Sequence, residues 1–246
     1  MTWVLNNLDL IAALSLQHLL LSIPPIVLGL IIAVPLGWVA YRFRLTRGLV
    51  LTLAGLLYTI PSLAMFVIVP SLLGISFLSS TNLTIALTIY AVALMARTVA
   101  DGLLSVDPAV KQSATAVGFG AWGRFWRVEL PLAGPVILAG LRVTAVSTIS
   151  LVSVGILIGV QSLGYLFTNG YQRRIIPEIA AGVVMVVVLA LLVDLALVLV
   201  GRMLMPWAPR RSRSRRTRFG ASRGRVPSAA TTTSAATTSA AGGGTS

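Results

Sequence analysis

Five long hydrophobic runs dominate the chain, at about 19–41, 49–73, 82–100, 132–158 and 178–204. A hydrocarbon core about 30 Å thick is crossed by about 20 mostly apolar helical residues, and every run is close to that length or longer. Because a backbone in lipid must satisfy its own hydrogen bonds, each run is predicted to form a helix. The pattern therefore predicts an all-α, polytopic membrane protein with five transmembrane helices.

The two ends of the chain differ from these runs. Residues 3–18 carry apolar side chains at helical spacing beside polar ones, which predicts either an interfacial helix or an early start of the first span. From residue 208 onward the chain is Arg/Ser-rich and then Ala/Thr/Ser/Gly-rich without apolar periodicity, which predicts disorder. We expect an extracytoplasmic or interfacial segment at 1–18, a membrane domain at 19–207 and a cytoplasmic tail at 208–246.

Composition supports the membrane assignment and excludes several kinds of chemistry. Hydrophobic residues make up 57% of the chain and charged residues 10%, whereas a soluble domain carries about a quarter charged residues. The absence of cysteine excludes disulfides and thiol catalysis. His18 is the single histidine, so no histidine metal cluster is expected.

The net charge of +13 is mainly a property of the tail. Eight arginines lie between Arg210 and Arg225, and no acidic residue accompanies them. We expect this segment to contact anionic lipid headgroups or to anchor the topology. Nucleic-acid binding has little support, because the basic residues are not interleaved with aromatic ones.

Arginine and lysine placement predicts the orientation in the membrane. The loops at 42–48 and 101–131 and the tail are basic, whereas the opposite side carries only Arg173 and Arg174. The N-terminus is therefore predicted to lie outside and the C-terminus in the cytoplasm.

The polar segment 107–131 is predicted to form a helix-turn-helix elbow on the cytoplasmic side. Asp107 can cap a helix that begins at Pro108, and Gly118 can adopt the left-handed conformation that ends it. A second short helix is expected to end before Leu130, because the residue before a proline is pushed out of helical geometry. By composition alone, an ordinary cytoplasmic loop would explain this segment.

The spacing within this segment resembles the "EAA" coupling loop of ABC importer permeases. In that pattern Glu-Ala-Ala is followed by three residues, a glycine, nine residues and Ile-x-Leu-Pro. Every spacing is kept here by Gln112, Ser113, Ala114, Gly118, Val128, Glu129, Leu130 and Pro131. The resemblance implies that these residues dock the chain onto a separate ATPase. Since glutamine replaces the family's glutamate, docking is expected to depend on shape and small side chains more than on charge.

Shorter matches point to one subgroup of that family. Residues 17–19, 58–64, 128–132 and 163–166 look like the permeases of glycine betaine, carnitine and choline importers. The resemblance implies a quaternary-ammonium osmoprotectant as cargo and a place in the bacterial cytoplasmic membrane. It also implies two ATPase subunits, a second permease subunit of the same or a homologous kind, and an extracytoplasmic binding protein. A permease for methionine or another small metabolite is the alternative within the family.

No ATP site is expected in this chain. A P-loop ends in Lys-Ser or Lys-Thr, whereas the only lysine, Lys111, is followed by Gln112. The chain is therefore expected to be no enzyme and to bind no cofactor, with ATP held by the partner subunit.

Two ionisable residues fall inside the predicted spans. Arg142 and Asp194 lie about ten residues from the cytoplasmic ends of their helices, so the two have similar depth. Because intramembrane charges are normally paired, we predict an ion pair. A secondary transporter or channel with Asp194 as its coupling charge is the alternative from another functional class.

Three polar residues in the spans are candidates for lining the transport path. They are Tyr58, Ser62 and Tyr90. For the two tyrosines, packing or interfacial anchoring is the simpler interpretation.

Overall fold

A computed structural model describes residues 2–207, and every regular element in that range is helical. The helices are α1 (Thr2–Asn6), α2 (Leu8–Arg42), α3 (Arg44–Thr59), α4 (Ser62–Leu73), α5 (Ser80–Leu104), α6 (Pro108–Ala116), α7 (Ala121–Arg124), α8 (Leu130–Val152), α9 (Gly164–Arg173) and α10 (Ile176–Leu204). A π-helical segment, Phe125–Glu129, joins α7 to α8, and a 3₁₀ segment, Ser153–Ile158, follows α8. The all-α prediction is confirmed, and the predicted tail at 208–246 lies outside the described residues.

The first hydrophobic run belongs to a helix that begins earlier than predicted. Helix α2 starts at Leu8 and continues unbroken through residue 18 into the first span. Ile11 and Leu14 are buried against Leu163 and Leu166, at the start of α9. Residues 8–18 thus form one helix with the first hydrophobic run, and the extracytoplasmic or interfacial place of 1–18 stays a prediction.

The second hydrophobic run is broken into two helices. Helices α3 and α4 meet at a bend of 109°. Ile60 is extended there, with ψ of 129°, because the ring of Pro61 disfavours helical geometry in the residue before it. The single helix predicted for 49–73 is therefore wrong. Four unbroken helices are long and apolar enough to cross a membrane, and the bent pair makes a fifth candidate span.

Helix α5 is the central helix of the bundle. It packs against α2 on one side and α8 on the other, and glycines allow the backbones to come close. A Cβ at Gly29 of α2 would lie 2.4 Å from the Cβ of Ala91, and one at Gly140 of α8 would lie 2.1 Å from Thr98. Larger side chains at either glycine would push the helices apart.

Candidate coupling site

The first helix of the elbow (residues 107–131) begins and ends as the sequence predicts. The carboxylate of Asp107 accepts a hydrogen bond of 2.8 Å from the backbone N–H of Ala109. Gly118 has φ of +98°, a conformation that side chains with a Cβ rarely adopt. The backbone N–H of Phe119 then donates to the carbonyl of Ala114 and closes the helix end.

The second arm of the elbow (residues 121–131) does not end before the proline. It continues into α8, so that Ala121–Ile158 is one membrane-spanning helix of 38 residues. Leu130 stays helical, and its N–H donates to the carbonyl of Phe125 across a π turn. The wider turn accommodates Pro131, which would otherwise clash with a carbonyl of the preceding turn. The predicted stop at Leu130 is wrong for this reason.

Arg124 joins the two arms of the elbow. Its Nε lies 2.6 Å from Oε1 of Glu129, and another guanidinium nitrogen donates to the hydroxyl of Thr115 on α6 at 2.8 Å. Glu129 is almost fully buried, with 1% of its surface exposed. On α6, the ammonium of Lys111 donates to the carbonyl of Leu103 at 2.9 Å. These contacts hold the turn in one shape, because a buried carboxylate is costly without its partner.

A cluster of aromatic rings packs the second arm against α2. The Trp38 ring lies 6.0 Å from that of Trp122 and 5.6 Å from that of Phe125, between ring centroids. Trp126 lies 5.1 Å from Phe125. No role was predicted for these residues, although the spacing of residues 122, 125 and 126 puts three aromatic side chains on one helix face.

The motif residues divide into an exposed set and a supporting set. Gln112, Ser113 and Gly118 are exposed, while Ala114 and Glu129 are buried. The half-buried members are Val128, Leu130 and Pro131. Gln112, Ser113 and Gly118 are therefore accessible to a partner, and the second half of the motif packs beneath them.

The structure brings Arg142 and Asp194 together across α8 and α10. Two nitrogens of the guanidinium donate to the two oxygens of the carboxylate, both at 2.6 Å. The side chains are 40% and 24% exposed, and Asp194 borders a groove of about 380 Å³. Such parallel bonds fix the orientation of both groups as well as their distance.

The three candidate path residues lie together at the bend in the second span. The rings of Tyr58 and Tyr90 meet edge to face with centroids 6.1 Å apart. Tyr90 is buried, and its hydroxyl donates to the carbonyl of Ile60. Tyr58 is about half exposed, and Ser62 is the first residue of α4. Tyr90 therefore stabilises the bend, whereas Tyr58 presents a ring surface beside it.

Comparison with known proteins agrees with this architecture. Residues 25–208 match the family described as "Binding-protein-dependent transport system inner membrane component". The osmoprotectant import permease protein OsmW of Salmonella typhimurium is 34% identical over 78% of this chain and 90% of its own length. The glycine betaine/carnitine/choline permease protein OpuCB of Bacillus subtilis is 34% identical over 77% of this chain and 86% of its own.

Solved structures share the fold. An inward-facing structure of the MetNI methionine ABC transporter superposes with a TM-score of 0.71 at 19% identity, covering 81% of this chain and 98% of that one. An amino acid ABC transporter superposes with a TM-score of 0.63 at 14% identity, covering 83% and 97%. With the family match over most of the chain, these findings show that the chain belongs to the binding-protein-dependent transport inner-membrane component family, the permeases of ABC importers.

Proposed function

We propose that this chain is the permease subunit of an ATP-driven importer for a quaternary-ammonium osmoprotectant, such as glycine betaine, choline or carnitine. The cargo is supported by the relatives, which are permeases for osmoprotectants, choline and carnitine and resemble this chain over more than three quarters of its length. The coupling role is carried by one observation. The exposed residues of the loop motif lie on an elbow whose two arms are joined by Arg124. The second arm of this elbow is continuous with a membrane-spanning helix.

The continuity of that helix explains how a push on the elbow would reach the membrane. A helix of 38 residues is about 57 Å long at 1.5 Å per residue. Because Arg124 bonds both Thr115 on α6 and Glu129 in the second arm, movement of α6 is passed to that helix without bending the turn. Closure of an ATPase dimer beneath α6 would thus tilt α8 against its neighbours.

Docking on the ATPase is proposed to rely on shape. Ala109, Ser113 and Ala116 are exposed on α6 and carry only small side chains, so the helix can lie deep in a groove of its partner. Gln112 lies beside them and supplies no charge. The proposed assembly has two permeases, two ATPases that bind the ATP and an outer binding protein, with the N-terminus of this chain outside and its C-terminus in the cytoplasm.

Arg142 and Asp194 are proposed to hold α8 against α10 during this movement. Both oxygens of Asp194 accept hydrogen bonds from the guanidinium, so neither oxygen of this carboxylate is unpaired and available for a coupling proton. This geometry argues against the secondary-transporter alternative. Tyr58 and Ser62 are proposed to line the path at the bend, because an exposed aromatic face attracts a quaternary ammonium.

The test is uptake of labelled glycine betaine, choline and carnitine into proteoliposomes that contain the permease, its ATPase and the binding protein. We expect uptake of at least one of them to require ATP and the binding protein, and to survive an uncoupler. Uptake that an uncoupler abolishes would contradict the ATP-driven mechanism. Uptake of methionine alone would leave the permease assignment intact and overturn the cargo.

A further inference from the structure

An apolar groove lies along the contact between α2 and the second arm of the elbow. Its volume is about 630 Å³. Helix α2 lines it with a stripe that runs from Leu30 to Val39, and the second arm contributes Trp122, Trp126 and Leu130. Every side chain on its wall is aliphatic or aromatic. Apart from indole N–H groups, water in such a groove would find no hydrogen-bond partners, so the groove favours a hydrocarbon occupant.

A basic residue lies just beyond one end of the groove. The stripe on α2 contains Leu30, Val34 and Trp38, which are spaced by four residues, and the next position in that series is Arg42. Residues four apart lie on one helix face, so Arg42 stands one turn beyond the groove. It is exposed, and within residues 2–207 no carboxylate lies within salt-bridge distance of it.

Indole groups lie at the same end. Within the described part of the chain, the ring N–H groups of Trp38, Trp122 and Trp126 donate to no protein acceptor. Indole groups are enriched where apolar chains meet polar headgroups, because the ring is apolar and its N–H needs an acceptor. The apolar stripe is about 14 Å long at 1.5 Å per residue, so it extends from this level well into the acyl region.

We propose that the groove binds one anionic phospholipid, with an acyl chain along the stripe on α2 and the phosphate near Arg42. The charge of Arg42, one turn beyond the groove, favours an anionic lipid over a second protein helix, whose apolar face would leave Arg42 without a counter-ion. The bound lipid contacts α2 and the second arm at once. It therefore forms part of the support of the elbow, and this inference does not depend on the cargo.

The experiment measures quenching of tryptophan fluorescence by brominated lipids. The full chain is placed in nanodiscs with Trp3→Phe and Trp207→Phe, which leaves the three groove tryptophans as reporters. We expect brominated phosphatidylglycerol to quench at a several-fold lower mole fraction than brominated phosphatidylcholine. Arg42→Gln should remove that preference. Arg97→Gln is the matched control, because Arg97 is an exposed arginine on α5, which does not line the groove, and it should keep the preference.

A second variant tests the location. Val34→Phe fills the groove without changing charge and should reduce quenching by both lipids. Equal quenching by the two lipids in the parent chain, or the same loss in Arg97→Gln as in Arg42→Gln, would show that the tryptophans contact only bulk lipid. Absence of quenching with either lipid would show that acyl chains do not enter the groove, the result expected if a second copy of this chain covered it. Each of these results would overturn the proposal.

Discussion

Two arginine–carboxylate pairs with the same separation lie in different parts of this molecule. In the elbow, Arg124 pairs with Glu129, five residues further along the chain. In the membrane, Arg142 pairs with Asp194 on a different helix, 52 residues away. Both pairs have a nitrogen–oxygen distance of 2.6 Å. A pair between neighbours in sequence can stiffen a turn, whereas a pair between distant helices holds a bundle together.

The surroundings of the two pairs differ as well. Glu129 is almost fully buried beneath the turn, while Asp194 borders a groove between α8 and α10. We therefore expect damage to the elbow pair to disturb coupling in a protein that still inserts normally. Damage to the membrane pair should disturb the bundle itself.

The largest effect is expected from Asp194→Ala. The change leaves the Arg142 guanidinium without its counter-ion in a membrane helix, which costs about 3 kcal/mol. The yield of folded protein in detergent, measured by size-exclusion chromatography with a fluorescent fusion, should fall severalfold or more. The reversed pair, Arg142→Asp with Asp194→Arg, should recover most of that yield. Failure of this rescue would show that the two residues act separately.

A smaller loss of folded protein is expected from Arg124→Ala, together with a large loss of transport. The substitution removes the contacts to Thr115 and Glu129 and leaves a buried carboxylate without its partner, which destabilises the turn. Folded yield should change little, while ATP-driven uptake falls at least tenfold. Arg127→Ala is the control, since Arg127 is exposed and should keep normal uptake. Equal uptake in both variants would mean that the contacts of Arg124 with Thr115 and Glu129 are not needed for transport.

Gly118→Val changes the elbow without touching either ion pair. The strain comes from the positive φ alone, because a Cβ at Gly118 would meet no atom within 4 Å. We expect this strain to destabilise the turn by about 1–2 kcal/mol. Membrane insertion should persist while ATPase association, measured by co-purification, falls severalfold. Gly120→Ala, at a glycine with φ of −66° and open space around it, should behave like the parent chain.

The sequence predicted those features that depend on nearby residues. The Asp107–Pro108 start of α6 and its end at Gly118 follow from local backbone rules, and the structure has both. Arg142 and Asp194 were predicted to pair because they lie at equal distances from the cytoplasmic ends of their helices. The family resemblance located the loop motif, because residue types and their spacing can be compared without a structure.

Other features depend on contacts that the sequence does not reveal. Three prolines in α2, among them Pro24 and Pro25, leave that helix unbroken, whereas Pro61 separates two helices at 109°. The difference lies in the surroundings, since Tyr90 satisfies the carbonyl of Ile60 at the break. The π turn before Pro131 likewise keeps Leu130 helical, although the residue before a proline normally leaves helical geometry. Trp38 joins the elbow from a helix distant in sequence, so no local pattern could identify it.

The central claim is that α6 transmits the work of a separate ATPase, and Ala116→Trp tests it most directly. Ala116 is exposed on the small-residue face, so a bulky indole should block docking without disturbing the fold. ATPase co-purification and ATP-driven uptake, measured on the same preparation, should both fall at least tenfold while folded yield stays normal. Uptake and co-purification equal to those of the parent chain would contradict the coupling role of the elbow.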